Sequence, residues 1–142
     1  MNNTANNNKS AARAFFQALE KEDVDALVAL FTDDAQHINP YHSGLFPEGA
    51  IGIEGIRQYW APVFPKFDGM EFLIEELYAM ENPNVVFAKY TGKIKLKDGV
   101  GYYENNYYST FKFNEAGLIT EYVEIFNPIV AARGFGLIDQ IK

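Results

Sequence analysis

The run GYYENNYYSTFKFNEAGLITEYVEIF, from Gly101 to Phe126, decides the fold. Two stretches rich in aromatic and β-branched residues flank Asn114-Glu115-Ala116-Gly117, a composition that reads as a hairpin. A four-residue turn between Phe113 and Leu118 sets Phe111 opposite Thr120, Ser109 opposite Tyr122, Tyr107 opposite Glu124 and Asn105 opposite Phe126. Phe111 and Phe113 share the odd face of the first strand while Lys112 points away, so the odd face is the expected core face. Glu124 then shares that face with Leu118, Tyr122 and Phe126.

Upstream, Met70 to Met80 and Val85 to Lys97 have the same character and are bounded by Asn82-Pro83-Asn84 and Asp98-Gly99, both turn chemistry. The prediction is a four-strand antiparallel meander. Before it, Ala11, Ala14, Phe15, Ala18 and Leu19 follow Ser10 at helical spacing, giving a helix over 10–21. Asp23 caps a second helix whose stripe is Val24, Leu27, Val28, Leu30 and Phe31, with Thr32-Asp33-Asp34 near its end. Ala35 to Asn39 reads as a short strand stopped by Pro40, and Tyr41 to Gly52 as a loop. A third helix spans 53–65, bent at Pro62 and ended by Pro65. A last short helix, Ile129 to Arg133, opens after Pro128 and closes at Gly134. Helices followed by a meander make a segregated α+β domain, with a cavity between helices and bent sheet. Residues 1–9, rich in asparagine, are expected as a disordered tail, and 10–142 as one pocket domain.

At 142 residues the chain has the usual size of one domain. Twelve Lys and Arg against 19 Asp and Glu give a net charge of −7, a balance that repels nucleic acid and anionic membrane surfaces. There is no cysteine, which excludes disulfides, thiolate metal sites and cysteine nucleophiles. The N-terminus has no apolar stretch to serve as signal or anchor, so a cytoplasmic location is expected. Nine Tyr and twelve Phe suit either an aromatic-lined pocket or a subunit interface, and composition does not separate the two.

A carboxylate on an aromatic face has its pKa raised by desolvation, as a general acid or base working near neutrality requires. Glu124 is therefore the candidate, with Tyr107, Asn105 and Asn127 as hydrogen-bonding partners for it or for a ligand oxygen. The alternative is a structural Glu held by Tyr or Asn, or one at the sheet rim. His37 and Asn39 alternate along one strand and share a face, so His37 is either a pocket proton donor or acceptor or a satisfied structural histidine. Its spacing to His42 suits no zinc motif. Tyr59 and Trp60 diverge on the third helix, and Trp60 reads as packing. Lys93, Lys95 and Lys97, like Asp33-Asp34 and Glu75-Glu76, read as solvated charges. No phosphate loop or nucleophile triad occurs, and no motif calls for a cofactor or metal.

The Phe31–Ala35 segment, the Gly52–Arg57 helix start and the aromatic hairpin resemble the nuclear transport factor 2-like superfamily over about residues 9 to 135. This group contains the ketosteroid isomerases and the SnoaL-like polyketide cyclases. The resemblance implies a cystatin-like cone: a curved antiparallel or mixed sheet with three N-terminal helices on its concave face. Gly101 to Asn105, Phe111 and Tyr122 to Pro128 are similar to the phenazine-biosynthesis A/B proteins, where a glutamate at the place of Glu124 is the proposed acid–base catalyst. Their histidine and serine on the third helix have no counterpart around Ile56, Arg57 and Trp60. The general-base aspartate of ketosteroid isomerase falls at Asn39, and its oxyanion-hole acid near Ser109. An amide takes up no proton near neutrality, so that isomerisation is not expected. The reading that follows is a homodimer binding an apolar, cyclic or aromatic, oxygen-bearing metabolite, without cofactor. Glu124, His37 and Tyr107 are its catalytic candidates. Ligand contacts are expected from Asn39, Tyr59, Trp60, Tyr103, Asn105, Ser109, Tyr122, Phe126 and Asn127. The competing reading is a non-catalytic ligand-binding or protein-interaction module of the same fold.

Overall fold

The computed structural model describes residues 3–141. The fold is α+β, with strands β1 (Phe31–Ile38), β2 (Gly49–Ile51), β3 (Phe67–Ala79), β4 (Val85–Leu96), β5 (Gly101–Phe113) and β6 (Ile119–Phe126). They form one sheet in the order β2-β1-β6-β5-β4-β3. The four long strands make the expected antiparallel meander, and β1 joins its end parallel to β6, so the sheet is mixed. Helices α1 (Thr4–Glu20), α2 (Val24–Val28), α3 (Gly52–Trp60) and α4 (Pro128–Gly134) complete it. Helix α1 lies across β3 and β4, and α3 packs on β1. The α1 rings fill the concave face, with Phe15 4.5 Å from Tyr122 and Phe16 4.5 Å from Tyr90 between centroids. Among the described residues no helix is long and apolar enough to cross a membrane.

Several local expectations are corrected. The asparagine-rich segment is helix from Thr4 onward, not a disordered tail, because buried Asn8 donates its amide to the Pro83 carbonyl at 3.0 Å. Met1 and Asn2 lie outside the described residues. Thr32, Asp33 and Asp34 belong to β1 rather than to a second helix. Two consecutive exposed aspartates break the strand alternation where the pairing with β6 changes register, between Phe31 and Gln36. The expected loop contains β2, which pairs with β1. Helix α3 ends at Trp60, and Phe64–Lys66 forms a separate 3₁₀ turn, since Pro62 and Pro65 have no amide to continue the ladder.

The last hairpin has different partners and keeps the expected faces from Glu121 to Phe126, but Ile119 rather than Leu118 takes the core face, opposite Phe113. Asn114 N donates to Leu118 O, so the loop is Glu115 to Gly117, one residue shorter than expected. Thr120 is then an extra residue at a register shift between Lys112 and Phe113. Phe111 consequently faces Tyr122, Ser109 faces Glu124 and Tyr107 faces Phe126. Tyr103, Asn105, Tyr107, Ser109, Phe111 and Phe113 are all buried on the odd face of β5.

Candidate functional site

Between the sheet, α3, the Phe64–Lys66 turn and α4 lies a cavity of about 290 Å³. Of the residues expected from sequence, Asn39, Tyr59, Trp60, Tyr103, Tyr107, Glu124 and Phe126 line it. Glu124 is partly buried, and its Oε2 accepts from the Tyr122 hydroxyl at 2.8 Å. Loss of solvation raises its pKa from 4.5 to about 7, against the opposing pull of the Tyr122 hydrogen bond.

A directional chain stands behind that carboxylate. Tyr122 donates to Glu124, so at its 3.0 Å contact with Tyr90 it accepts, and Tyr90 in turn accepts from Ser109 Oγ at 2.7 Å. Tyr122 and Ser109 thus support Glu124 from below and are absent from the cavity wall, contrary to their expected ligand contact. Burial, with the Glu124 charge adding to it, pushes the Tyr90 and Tyr122 phenols well above their ordinary value.

His37 is likewise corrected. It is buried one layer behind Asn39, away from the cavity lining, and desolvation lowers its pKa to about 4, so it is neutral near pH 7. Pro47 O can only accept, which fixes the Asn39 amide with Nδ2 toward Pro47 O at 3.0 Å and Oδ1 toward His37 Nε2 at 2.9 Å. His37 therefore carries its proton on Nε2, and its Nδ1 is buried without a hydrogen-bond partner among the described residues. The remaining Asn39 proton goes to the Tyr59 hydroxyl oxygen at 2.9 Å.

Asn105 on β5 repeats this arrangement. Asn105 is buried off the cavity and donates Nδ2 to the Asn127 carbonyl at 3.0 Å and to Tyr103 OH at 2.6 Å. Asn127 is exposed, and its side chain caps α4 by accepting from Ile129 N and Val130 N rather than meeting a ligand. Tyr107 stacks on Tyr90 with centroids 5.0 Å apart, and its hydroxyl reaches Tyr103 OH at 3.5 Å; no bond links it to Glu124, the group it was expected to position.

Sequence reasoning missed the rest of the wall. Phe46, in the expected loop, and Phe135, beyond the last helix, bracket the cavity, with Phe135 4.5 Å from Tyr103 between centroids. Neither lies in a periodic segment. Lys66, exposed in the 3₁₀ turn, is the only cation on the lining among the described residues. Tyr90 was reachable, because the alternation that turns Lys93 and Lys95 outward turns Tyr90 inward with Val86 and Ala88.

This architecture recurs in solved structures. A Bacillus subtilis protein ascribed isomerase activity superposes with a TM-score of 0.84 at 22% identity, over 96% of this chain and 97% of that one. The BvnE pinacolase from Penicillium brevicompactum gives 0.82 at 16%, over 100% and 97%. A phenazine biosynthesis-related protein from Pseudomonas aeruginosa gives 0.81 at 17%, over 94% and 83%. At these identities the likeness is one of fold. No curated protein sequence matches the chain. The SnoaL-like domain profile matches residues 12–122, and the chain belongs to that family, within the nuclear transport factor 2-like superfamily.

Proposed function

We propose that this protein is a cofactor-free acid–base enzyme that isomerises, cyclises or assists the condensation of an apolar cyclic or aromatic metabolite, with Glu124 as the group that exchanges the proton. The observation that carries this reading is a carboxyl with a pKa of about 7 on an aromatic cavity wall. Near neutrality such a group is present in both forms, so it can take a proton from the ligand and return one without a large energetic step. Only one of its oxygens is held, by Tyr122, which leaves Oε1 for the ligand. Trp60 and Phe126 act as apolar walls that exclude water and keep the carboxyl desolvated. His37 serves as a positioning group through Asn39, and Tyr107 through its contacts with Tyr103 and Tyr90 rather than with Glu124. The pinacolase and the Bacillus relative support a catalytic use of the fold.

The test is a carbon-detected NMR titration of Glu124, with Glu124→Gln identifying the resonance, followed by turnover measurements on cyclic ketones, enols and aromatic acids. A midpoint near 7 and turnover abolished by Glu124→Gln in a folded protein support the assignment. A midpoint near 4.5 without turnover favours a binding module, and turnover that survives the substitution refutes the role given to Glu124.

A homodimer is part of the same proposal. Tyr78 stacks on Phe87 at 6.5 Å and Tyr108 lies tilted 6.0 Å from Phe87 on the outer sheet face, with Tyr78 and Tyr108 exposed, an apolar row that a second copy would cover. Sedimentation should give a dimer mass, and Tyr108→Lys a monomer. A monomeric wild type removes this element.

A further inference from the structure

Two hydrogen-bond arrangements beside the cavity, one ending on Tyr59 of α3 and the other on Tyr103 of β5, are alike. Asn39 and Asn105 are both buried, and a carbonyl that can only accept, from Pro47 and Asn127 respectively, fixes the orientation of each amide. Each Oδ1 is filled from behind, by His37 Nε2 in one case and by the Asn106 amide in the other. Each uses its remaining N–H on a tyrosine that lines the cavity, Tyr59 or Tyr103. The phenol oxygens are thereby occupied as acceptors, and neither phenol proton has an acceptor among the described residues. Lys66 adds a third donor at the lining, and among the described residues Glu124 is its one anionic acceptor.

We infer that the two asparagines set Tyr59 and Tyr103 as outward-facing donors, so the cavity selects an apolar ring compound that brings at least two hydrogen-bond-accepting oxygens, such as carbonyls. The inference rests on the reading of this cavity as the ligand site and is independent of whether Glu124 moves a proton. A ligand oxygen at each phenol completes a chain whose other bonds are already made. A ligand that brings only donors leaves both phenols unpaired in a desolvated space, which binding penalises. A cation would find rings and a carboxylate there, but also Lys66 and two phenol O–H donors.

The probes are 1,4-naphthoquinone, with two carbonyls and no donor, naphthalene, with neither, and benzyltrimethylammonium. Binding is read from the indole N–H signal of Trp60, the single tryptophan, and the absence of cysteine removes thiol addition to the quinone. Tyr59→Phe and Tyr103→Phe should each weaken quinone binding about five- to tenfold, the usual worth of one net hydrogen bond, and leave naphthalene within twofold. In the wild type, which needs no variant to fold, the infrared carbonyl stretch of bound quinone should fall below its value in an apolar solvent. Equal losses for quinone and naphthalene, an unshifted carbonyl, no quinone binding, or tighter binding of the ammonium would each overturn the inference. The quinone has no proton for Glu124 to take, so these outcomes leave the acid–base proposal standing, and failure of the Glu124 titration leaves them untouched.

Discussion

Replacing Glu124 by Gln should stabilise the protein in alkali and not in acid. The carboxyl has a pKa of about 7 when folded against 4.5 in the reference state, so the folded form holds its proton more tightly. Stability from this group is therefore full below pH 4.5 and is lost as pH rises through 7. At about 1.4 kcal/mol per pH unit the loss reaches about 3 kcal/mol by pH 8, an upper figure because the group is only partly buried. Gln keeps the shape and can still accept from Tyr122, and it does not titrate. The difference in unfolding free energy between Glu124→Gln and wild type should thus rise from near its acid value at pH 4 to about 3 kcal/mol above it at pH 8. Urea unfolding followed by Trp60 fluorescence across this range gives the curve. The contribution of His37, which runs the other way because its depressed pKa costs stability as pH falls from 6.5 toward 4, is common to both proteins and cancels. A flat or falling difference would show that Glu124 is not desolvated, and the catalytic assignment would lose its basis.

Tyr122→Phe removes the hydrogen bond that favours ionised Glu124 and should raise the NMR titration midpoint by a further one to two pH units or so; an unmoved midpoint would show that this bond does not act on the carboxyl. Gly92→Ala would place a methyl 2.8 Å from the Tyr107 ring and 3.2 Å from Phe72, a clash expected to cost about 1–3 kcal/mol in urea unfolding and to displace Tyr107 from its stack on Tyr90; full stability would show that the ring is not held there. Asn8→Ala should cost about 1 kcal/mol by the same assay through the lost bond to Pro83, whereas an undocked segment would show none.

The outward and inward faces of the long strands were legible because period-2 alternation survives when exact pairing does not. The last hairpin illustrates this: a loop one residue shorter than expected and an extra Thr120 each shift the register by one, and together they restore parity. Glu124 was located correctly although its partner is Ser109 and not Tyr107. The start of α1 was not legible, since asparagine is a poor helix former and the contact that recruits it lies 75 residues away. The roles of His37, Asn105, Ser109 and Tyr122 were misjudged for a related reason. Strand parity says which face a side chain takes, but depth beneath that face depends on what stands in front of it. For Asn39 and Tyr59 that ordering comes from the loop carrying Pro47, which has no periodicity to read.

The depth ordering bears on how a reaction could proceed. An aspartate at position 39 would be a second titrating acid on the lining that holds Glu124, and the amide there instead is saturated by His37, Pro47 and Tyr59. His37 stays neutral near pH 7, and burial keeps Tyr59, Tyr103 and Tyr107 as phenols. With these groups fixed in one protonation state, and with Glu124 as the proposed proton carrier, Lys66 is the other group on the lining that could exchange a proton, and a proton taken by Glu124 can be returned by the same carboxyl. Such a site favours moving a proton between two positions on one face of a ring over taking it from one face and delivering another to the opposite face. A ligand deuterated at the abstracted position should therefore keep part of its label in the product in light water, and loss of the label in every turnover would require a second proton path to solvent.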